Sequence, residues 1–341
     1  MKLGQFMNCP TAILFLILLS CQVLAYDPLA GRPFPETRLG VGARAQAMGG
    51  AQTAYLTPTT VTAYWNPAMA AMLPDKGAVS AAFRFLSLGR QEGVIGFSTR
   101  IPPRGAITTA ITYHGDGDIP VYNSDGELEY SDGGFTNLSI YFGFSYLITR
   151  KLSMGLTTVI RSSSINTAEE DRVSAWELGS LFYSVFYQIK PTLSAGLHLR
   201  EITSDARYEA PTYGSELNTI VSDGVPLNLR AGLAWKTNII KRSAAFTLDG
   251  DWYFIPGTIK ENDSPDWSEV ETVTEIHAGA ECFIRTNFPV RFGYSTDQGP
   301  AIGFGLHFPK NEHRGIKLDY ALSRELNGSG LNHSFSWTLP F

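Results

Sequence analysis

From Ala78 to the C-terminus, apolar side chains alternate with polar or small ones in one segment after another. A period of two is the signature of a β-strand whose faces meet different surroundings. In the clearest segment Thr136, Leu138, Ile140, Phe142, Phe144, Tyr146 and Ile148 share one face, and Asn137, Ser139, Tyr141, Gly143, Ser145 and Leu147 the other. Leu227, Leu229, Ala231, Leu233 and Trp235 likewise oppose Asn228, Arg230, Gly232, Ala234 and Lys236. Leu193, Ala195, Leu197 and Leu199 oppose Ser194, Gly196, His198 and Arg200. Fourteen strands are expected, at 78–88, 91–101, 105–114, 134–148, 151–165, 174–189, 192–202, 226–237, 242–254, 271–284, 288–296, 300–308, 315–324 and 330–341. Most exceed the five or six residues typical of soluble sheets by about a factor of two.

Strand length and the order of the connections point to a membrane. Short connections (Pro102 to Arg104, Thr149-Arg150, Lys190-Pro191, Asn238 to Lys241, Arg285 to Asn287, Pro309 to Arg314) take turns with a second class. That class includes Gly115 to Gly133, Asn166 to Val173, Thr203 to Val225 and Ile255 to Val270, which are acidic or rich in Gly, Ser and Asn. Outer-membrane barrels have short periplasmic turns and longer external loops. An even strand number returns the C-terminus to the side where the first strand began, so both termini are expected in the periplasm. Within hydrocarbon every backbone N–H and C=O must be paired inside the protein, which only helices and closed barrels achieve. After residue 25 no apolar run reaches the roughly 18 residues of a spanning helix. The expected fold is therefore all-β: a transmembrane antiparallel β-barrel of about 14 strands, preceded by a short, partly helical plug.

Composition agrees. Only 17% of the residues are charged, against about 25% in soluble domains. With 27 Lys+Arg against 32 Asp+Glu the chain lacks the basic excess of a nucleic-acid binder. Lys2 and the apolar run Thr11 to Leu24 read as a secretory signal. Val23-Leu24-Ala25 offers a cleavage site before Tyr26, and Leu18-Leu19-Ser20-Cys21 resembles a lipobox that would leave a lipidated Cys21. The expected organisation is a signal peptide over 1–25, a plug over 26–76 and a barrel over 77–341. Cleavage leaves one cysteine, Cys282, which has no partner for an internal disulfide.

In the last strand Leu331, His333, Phe335, Trp337, Leu339 and Phe341 occupy one face, and Asn332, Ser334, Ser336 and Thr338 the other. This resembles the C-terminal strand of outer-membrane barrels, which ends in an aromatic residue and is read by the barrel assembly machinery. Phe335, Trp337, Leu339 and Phe341 are the assembly-signal candidates, and Pro340 departs from the usual polar penultimate residue. Trp176, Trp235, Trp252, Tyr187 and Tyr253 lie near strand ends, where aromatic girdles meet lipid headgroups.

The stretch before the strands does not alternate. It carries Gly42-Ala43-Arg44-Ala45, Met48-Gly49-Gly50-Ala51 and Tyr64-Trp65-Asn66-Pro67-Ala68. Small residues allow close backbone packing, and Asn66-Pro67 has the form of a helix cap with proline at the first helical position. These motifs resemble the N-terminal signature of the PorV/PorQ family, whose barrels are similar to the FadL long-chain fatty acid transporter. That family carries an acidic residue between the two motifs, where this chain has Leu56-Thr57-Pro58-Thr59-Thr60. The plug candidates are Gly42, Ala43, Arg44, Ala45, Met48, Gly49, Gly50, Trp65, Asn66, Pro67 and Ala68.

Three functions follow as expectations. The resemblance to PorV/PorQ implies a cargo-binding or accessory part in outer-membrane transport or type IX-like protein secretion, with secretion proteins or exported cargo as partners. The resemblance to FadL implies a channel for hydrophobic small molecules, with Met48, Tyr55, Trp65 and Met69 supplying apolar lining. The third is enzymatic: Asp249-x-Asp251 and Glu275-x-His277 on adjacent strands resemble the paired acids and acid-histidine pair at the external rim of omptin proteases. A carboxylate orienting a histidine base is sound chemistry. The inward face is otherwise read as a polar network in which Arg230, Asp249, Asp251, Glu275, His277, Glu281 and Arg291 pair across strands. No G-x-S-x-G, no H-E-x-x-H and no paired cysteines occur. Catalysis, metal and cofactor are not expected; outer-membrane lipid is an expected partner and nucleic acid is not.

Overall fold

The computed structural model describes residues 29, 32–57, 61–122, 125–166, 172–202, 205–211, 218–239, 241–257, 266–309, 315–324 and 330–341. Both expected processing sites, at Cys21 and Ala25, lie outside the described residues.

The strands are β1 (Gly77–Phe85), β2 (Gln91–Ile101), β3 (Gly105–Tyr122), β4 (Leu128–Leu147), β5 (Leu152–Asn166), β6 (Arg172–Lys190), β7 (Leu193–Arg200), β8 (Asp205–Pro211), β9 (Asn218–Gly224), β10 (Leu227–Ile239), β11 (Arg242–Gly257), β12 (Asp266–Arg285), β13 (Phe288–Ser295), β14 (Gly299–Pro309), β15 (Gly315–Arg324) and β16 (Leu331–Pro340). Fourteen of them form a closed antiparallel ring: β1 to β7 in order, then β10 to β16, with β16 returning to β1. The other two, β8 and β9, form a hairpin that leans on β6 through Ser174↔Glu209 and Trp176↔Arg207.

Gly115 to Gly133 and Thr203 to Val225 were expected as loops. The first is mostly strand, since β3 and β4 continue as a paired ribbon past Gly115, and the second carries β8 and β9. A ribbon outside the membrane has water on both faces, so no apolar alternation marks it. Strand β1 stops at Phe85, short of the expected residue 88, because Ser87–Gly89 turns the chain in a 3-10 helix.

The two faces separate by environment. Ile95, Phe144, Leu233, Leu248, Phe292 and Ile302 are exposed on the outside, while Ser98, Thr108, Ser139, Thr157 and Ser184 are buried inside. This inverts a soluble barrel, as a lipid exterior requires. Trp176, Trp235 and Tyr187 are exposed. Tyr253, expected in the same aromatic girdle, is instead buried with Leu29 and Ile255, because it has the inward parity of Asp251.

Closure falls between the first and last wall strands, with Ala78↔Pro340, Val79↔Leu339 and Phe83↔Phe335 opposite one another. Phe341 and Gly77 exchange both backbone hydrogen bonds, at 2.8 and 3.1 Å. Hydrogen-bonded and non-bonded pairs alternate in an antiparallel ladder. Pro340 opposite Ala78 is therefore a non-bonded pair, so the missing N–H removes no bond to β1. Phe341 stacks on Phe97 with ring centroids 6.1 Å apart.

The N-terminal segment lies within the ring. It consists of a 3-10 turn (Pro35–Arg38), helix α1 (Ala43–Ala47), helix α2 (Thr62–Trp65) and a second 3-10 turn (Pro67–Met72). Such short helices gain little from propensity and persist through packing. Ala43, Ala45, Ala47, Met48, Ala63, Tyr64, Trp65, Ala68 and Met69 are all buried.

Candidate functional site

The N-terminal segment meets the wall where the wall has no side chains. Seven strands place a glycine inward at a comparable depth: Gly143, Gly155, Gly196, Gly232, Gly279, Gly293 and Gly303. Gly196 pairs with Gly232, and Gly279 with Gly293. A methyl group at Gly155 would come within 2.6 Å of the Ala68 nitrogen, at Gly196 within 2.1 Å of the Thr53 oxygen, and at Gly293 within 2.0 Å of the Gly49 nitrogen. At Gly303 it would meet the Ala47 methyl at 2.5 Å. At Gly155, Gly196, Gly279 and Gly293 the wall admits the segment's backbone where a side chain would exclude it. Gly49 is constrained from the opposite side, with a φ of 64° and a Cβ position 2.5 Å from the Tyr294 nitrogen.

Two of the resemblance motifs lie on this belt of glycines, Met48 and Gly49 on Gly279 and Gly293, and Asn66, Pro67 and Ala68 on Gly196, Gly143 and Gly155. Gly42, with a φ of 90°, starts α1. Trp65 donates from Nε1 to the Val41 carbonyl at 3.0 Å, which joins the two motifs. Asn66 accepts from the Ala68 N–H at 3.1 Å and donates to the Thr53 carbonyl at 2.8 Å. It thereby caps the turn that Pro67 begins and ties it to the bend at Thr53. Ser153 donates to the Ala68 carbonyl at 2.7 Å.

The expected lumenal cluster divides into two. In the first part Arg44 of α1 donates to Glu281 from Nε and Nη2 at 3.1 and 2.9 Å. Tyr55 donates to the same carboxylate at 2.6 Å, and so does Arg291, also at 2.6 Å. Arg291 continues to Asp319 at 2.6 Å. One wall carboxylate thus holds two points of the N-terminal segment. In the second part Arg230 lies 2.6 Å from Asp251 and 3.9 Å from Asp249. Asp249 accepts from the Thr53 N–H at 2.8 Å, and His277 meets the Gly49 carbonyl through Nδ1 at 2.8 Å.

The sequence reading missed two further groups. Arg161 joins Glu177 and, through two bonds of 2.8 and 2.7 Å, Glu201. Arg84 joins Glu92 and donates to the Leu39 and Gly40 carbonyls at 3.1 Å each. Arg84 with Glu92, and Arg161 with Glu177, lie opposite each other on neighbouring strands with inward parity, which was the available signal; Glu201 lies just past β7 with a φ of 58°, and no parity marks it. Glu36 is also buried; it accepts from Asn137 at 2.7 Å, and burial pushes its carboxyl up to about 7.

The arrangement differs from the omptin-like reading. Asp249, Asp251, Glu275 and His277 are 1, 2, 6 and 4% exposed, and the Gly49 to Thr53 stretch lies against them. An external protease needs these groups at a wet rim, and here the N-terminal segment covers them.

A cavity of about 290 Å³ remains between the segment and the wall. Its apolar lining includes Val41, Tyr55, Leu56, Val61, Trp65 and Phe283, and its polar lining includes Arg44, Lys236, Glu281 and Lys317. Met48 and Met69, expected in such a lining, point elsewhere: Met48 lies on Gly279 and Met69 packs with Phe186. Outside the barrel a second recess of about 930 Å³ is lined by Phe83, Ile95, Phe304, Leu306 and Trp337 among others. Ala81, Ala82, Asp319 and Ser336 line both recesses, so they adjoin across β1, β15 and β16.

No family model matches the sequence, and no curated protein matches it. Solved structures do. The Ralstonia pickettii toluene transporter TbuX aligns over 89% of this chain and 98% of its own, with a TM-score of 0.58 and 15% identity. The Pseudomonas putida toluene transporter TodX gives 89%, 98%, 0.59 and 14%. A Pseudomonas aeruginosa FadL homologue gives 87%, 97%, 0.55 and 11%. Coverage at this level, together with the closed fourteen-strand ring, shows that the chain shares the fold of these three proteins.

Proposed function

We propose that the protein is an outer-membrane channel that takes up hydrophobic small molecules, with residues 26–76 as the lumenal plug and both termini periplasmic. The observation that carries this reading is the plug-side cavity lined by Val41, Tyr55, Leu56, Val61, Trp65 and Phe283. Ligand sites are concave and combine apolar walls with placed polar groups, and this cavity has both in similar measure. Arg44, Lys236 and Lys317 at the same cavity suit an apolar molecule with an electron-rich or anionic end. The adjoining outer recess supports exit sideways into the membrane, where an apolar solute is already at low free energy. The names of the structural neighbours, toluene transporters and a FadL homologue, favour the same substrate class.

A second reading, an accessory or cargo-binding part in type IX-like secretion, draws on the PorV/PorQ motifs and on the paired ribbons β3–β4 and β8–β9 at the long-connection end. One experiment separates the two. The protein is purified from its own outer membrane in mild detergent, and everything that accompanies it is identified by mass spectrometry. A co-purifying apolar small molecule, displaced when Val61 is replaced by Trp, supports uptake. Stoichiometric secretion proteins or cargo, with no apolar ligand, would replace uptake with the accessory reading.

A further inference from the structure

We propose that Asp251, Glu275 and His277 form a binding site for a divalent transition-metal ion, with Zn²⁺ as the best-matched probe. One ligand atom from each residue lies within 4.8 Å of the others. His277 Nε2 is 3.4 Å from Asp251 Oδ2 and 3.7 Å from Glu275 Oε2. Tetrahedral zinc with N and O ligands at about 2.0 to 2.2 Å has ligand-to-ligand edges of roughly 3.4 Å, close to the two histidine-to-carboxylate distances here.

The tautomer is fixed from outside. His277 Nδ1 lies 2.8 Å from the Gly49 carbonyl oxygen, which can only accept, so Nδ1 carries the proton and neutral imidazole directs its Nε2 lone pair at the two carboxylates. Metal-bound histidines usually make this contact through the nitrogen that does not bind the metal. Asp251 is divided in the same way: Oδ1 faces Arg230 at 2.6 Å and Oδ2 faces His277. His277 Nε2 and Glu275 Oε2 are both buried and have no hydrogen-bond partner.

An imidazolium is the competing occupant of this geometry. Charge-assisted N–H···O bonds contract to about 2.7 to 2.9 Å, and neither carboxylate has drawn that close. The surrounding charge also favours a cation. Four acids, Asp249, Asp251, Glu275 and Asp297, stand against three cations, Arg230, Arg200 and Arg38, whose fields reach the cluster. Three protein ligands leave a fourth position for water. Because the Gly49 carbonyl holds His277, the ion would connect the plug's glycine turn to β11 and β12.

The test uses the full-length protein in detergent. After chelator treatment it is equilibrated with Zn²⁺, passed through a desalting column and analysed for metal by mass spectrometry. One zinc per chain is expected, with retention at least tenfold weaker in His277→Gln, whose folding is checked by heat-modifiable gel migration. Should that variant misfold, Co²⁺ added to the wild-type protein decides: intense visible bands of a four-coordinate nitrogen and oxygen site are expected. Absence of retained zinc, retention undiminished in a folded His277→Gln, or only the weak bands of hydrated Co²⁺ would each overturn the site.

Discussion

The two ionic groups that hold the N-terminal segment are built from the same residue types and solve different problems. Around Glu281, two guanidiniums meet two carboxylates, and Tyr55 adds a neutral donor. Both Glu281 oxygens are bonded and every contact is short. Around Asp251, one guanidinium serves Asp249 and Asp251 while Glu275 has an oxygen with no partner. Buried charge is tolerated when it is paired and costly when it is not. The first group is therefore a finished anchor, and the second has an anionic excess that a bound cation would complete.

Removing the centre of the first group has the largest expected effect. Glu281→Gln leaves Arg44 and Arg291 buried beside a neutral amide, at an expected cost of about 3 to 5 kcal/mol. A lowered heat-modification midpoint and raised planar-bilayer conductance would record it; an unchanged midpoint would refute the anchoring role.

Next comes pH, through Glu36. Its ordinary carboxyl value of 4.5 is restored when the segment leaves the lumen, whereas docking raises it to about 7 by burial. The docked state binds the extra proton, so docking is strongest below pH 4.5, weakens as pH rises toward about 7, and is constant above. The span corresponds to about 3 kcal/mol. Conductance should therefore be higher at pH 8 than at pH 5, and Glu36→Gln should remove the difference; a slope that survives the substitution assigns it elsewhere.

Gly293→Ala is expected to cost about 1 to 3 kcal/mol by overpacking, because the added methyl meets the backbone of Met48 and Gly49. Its outward neighbour in the same strand, Phe292→Leu, is the control, and equal effects at the two positions would discount the belt. The smallest effect sharpens the comparison most. In chelator-treated protein Glu275→Gln should change stability by less than about 1 kcal/mol, since it relieves the anionic excess. A loss as large as that of Glu281→Gln would show the two groups to be equivalent.

The wall was legible in the sequence because the boundary between lipid and lumen imposes a period of two on every spanning strand. Residues such as Leu233 and Arg230 announce their faces by type. Beyond the membrane that contrast disappears, which is why β8, β9 and the outer parts of β3 and β4 read as loops. Tyr253 misled because an aromatic near a strand end suits either a headgroup layer or a buried lumenal cluster, and only parity with Asp251 distinguishes them. The glycine belt was hidden for another reason. Gly196 or Gly279 alone reads as a residue that weakens a strand, and its meaning depends on what approaches from across the lumen. The division of the polar cluster was equally illegible, because it depends on where Arg44, Gly49 and Thr53 sit when the segment is in place.

The belt also has a mechanical consequence. Above and below it, the inward positions carry side chains such as Arg161, His198, Arg230 and Glu281, so the segment's backbone fits the wall at one height only. A shift along the axis would bring those side chains against Thr53, Ala68 and Gly49 together. The glycines act as a ring of detents, and under a pulling force the segment should yield in one abrupt step, without a gradual slide.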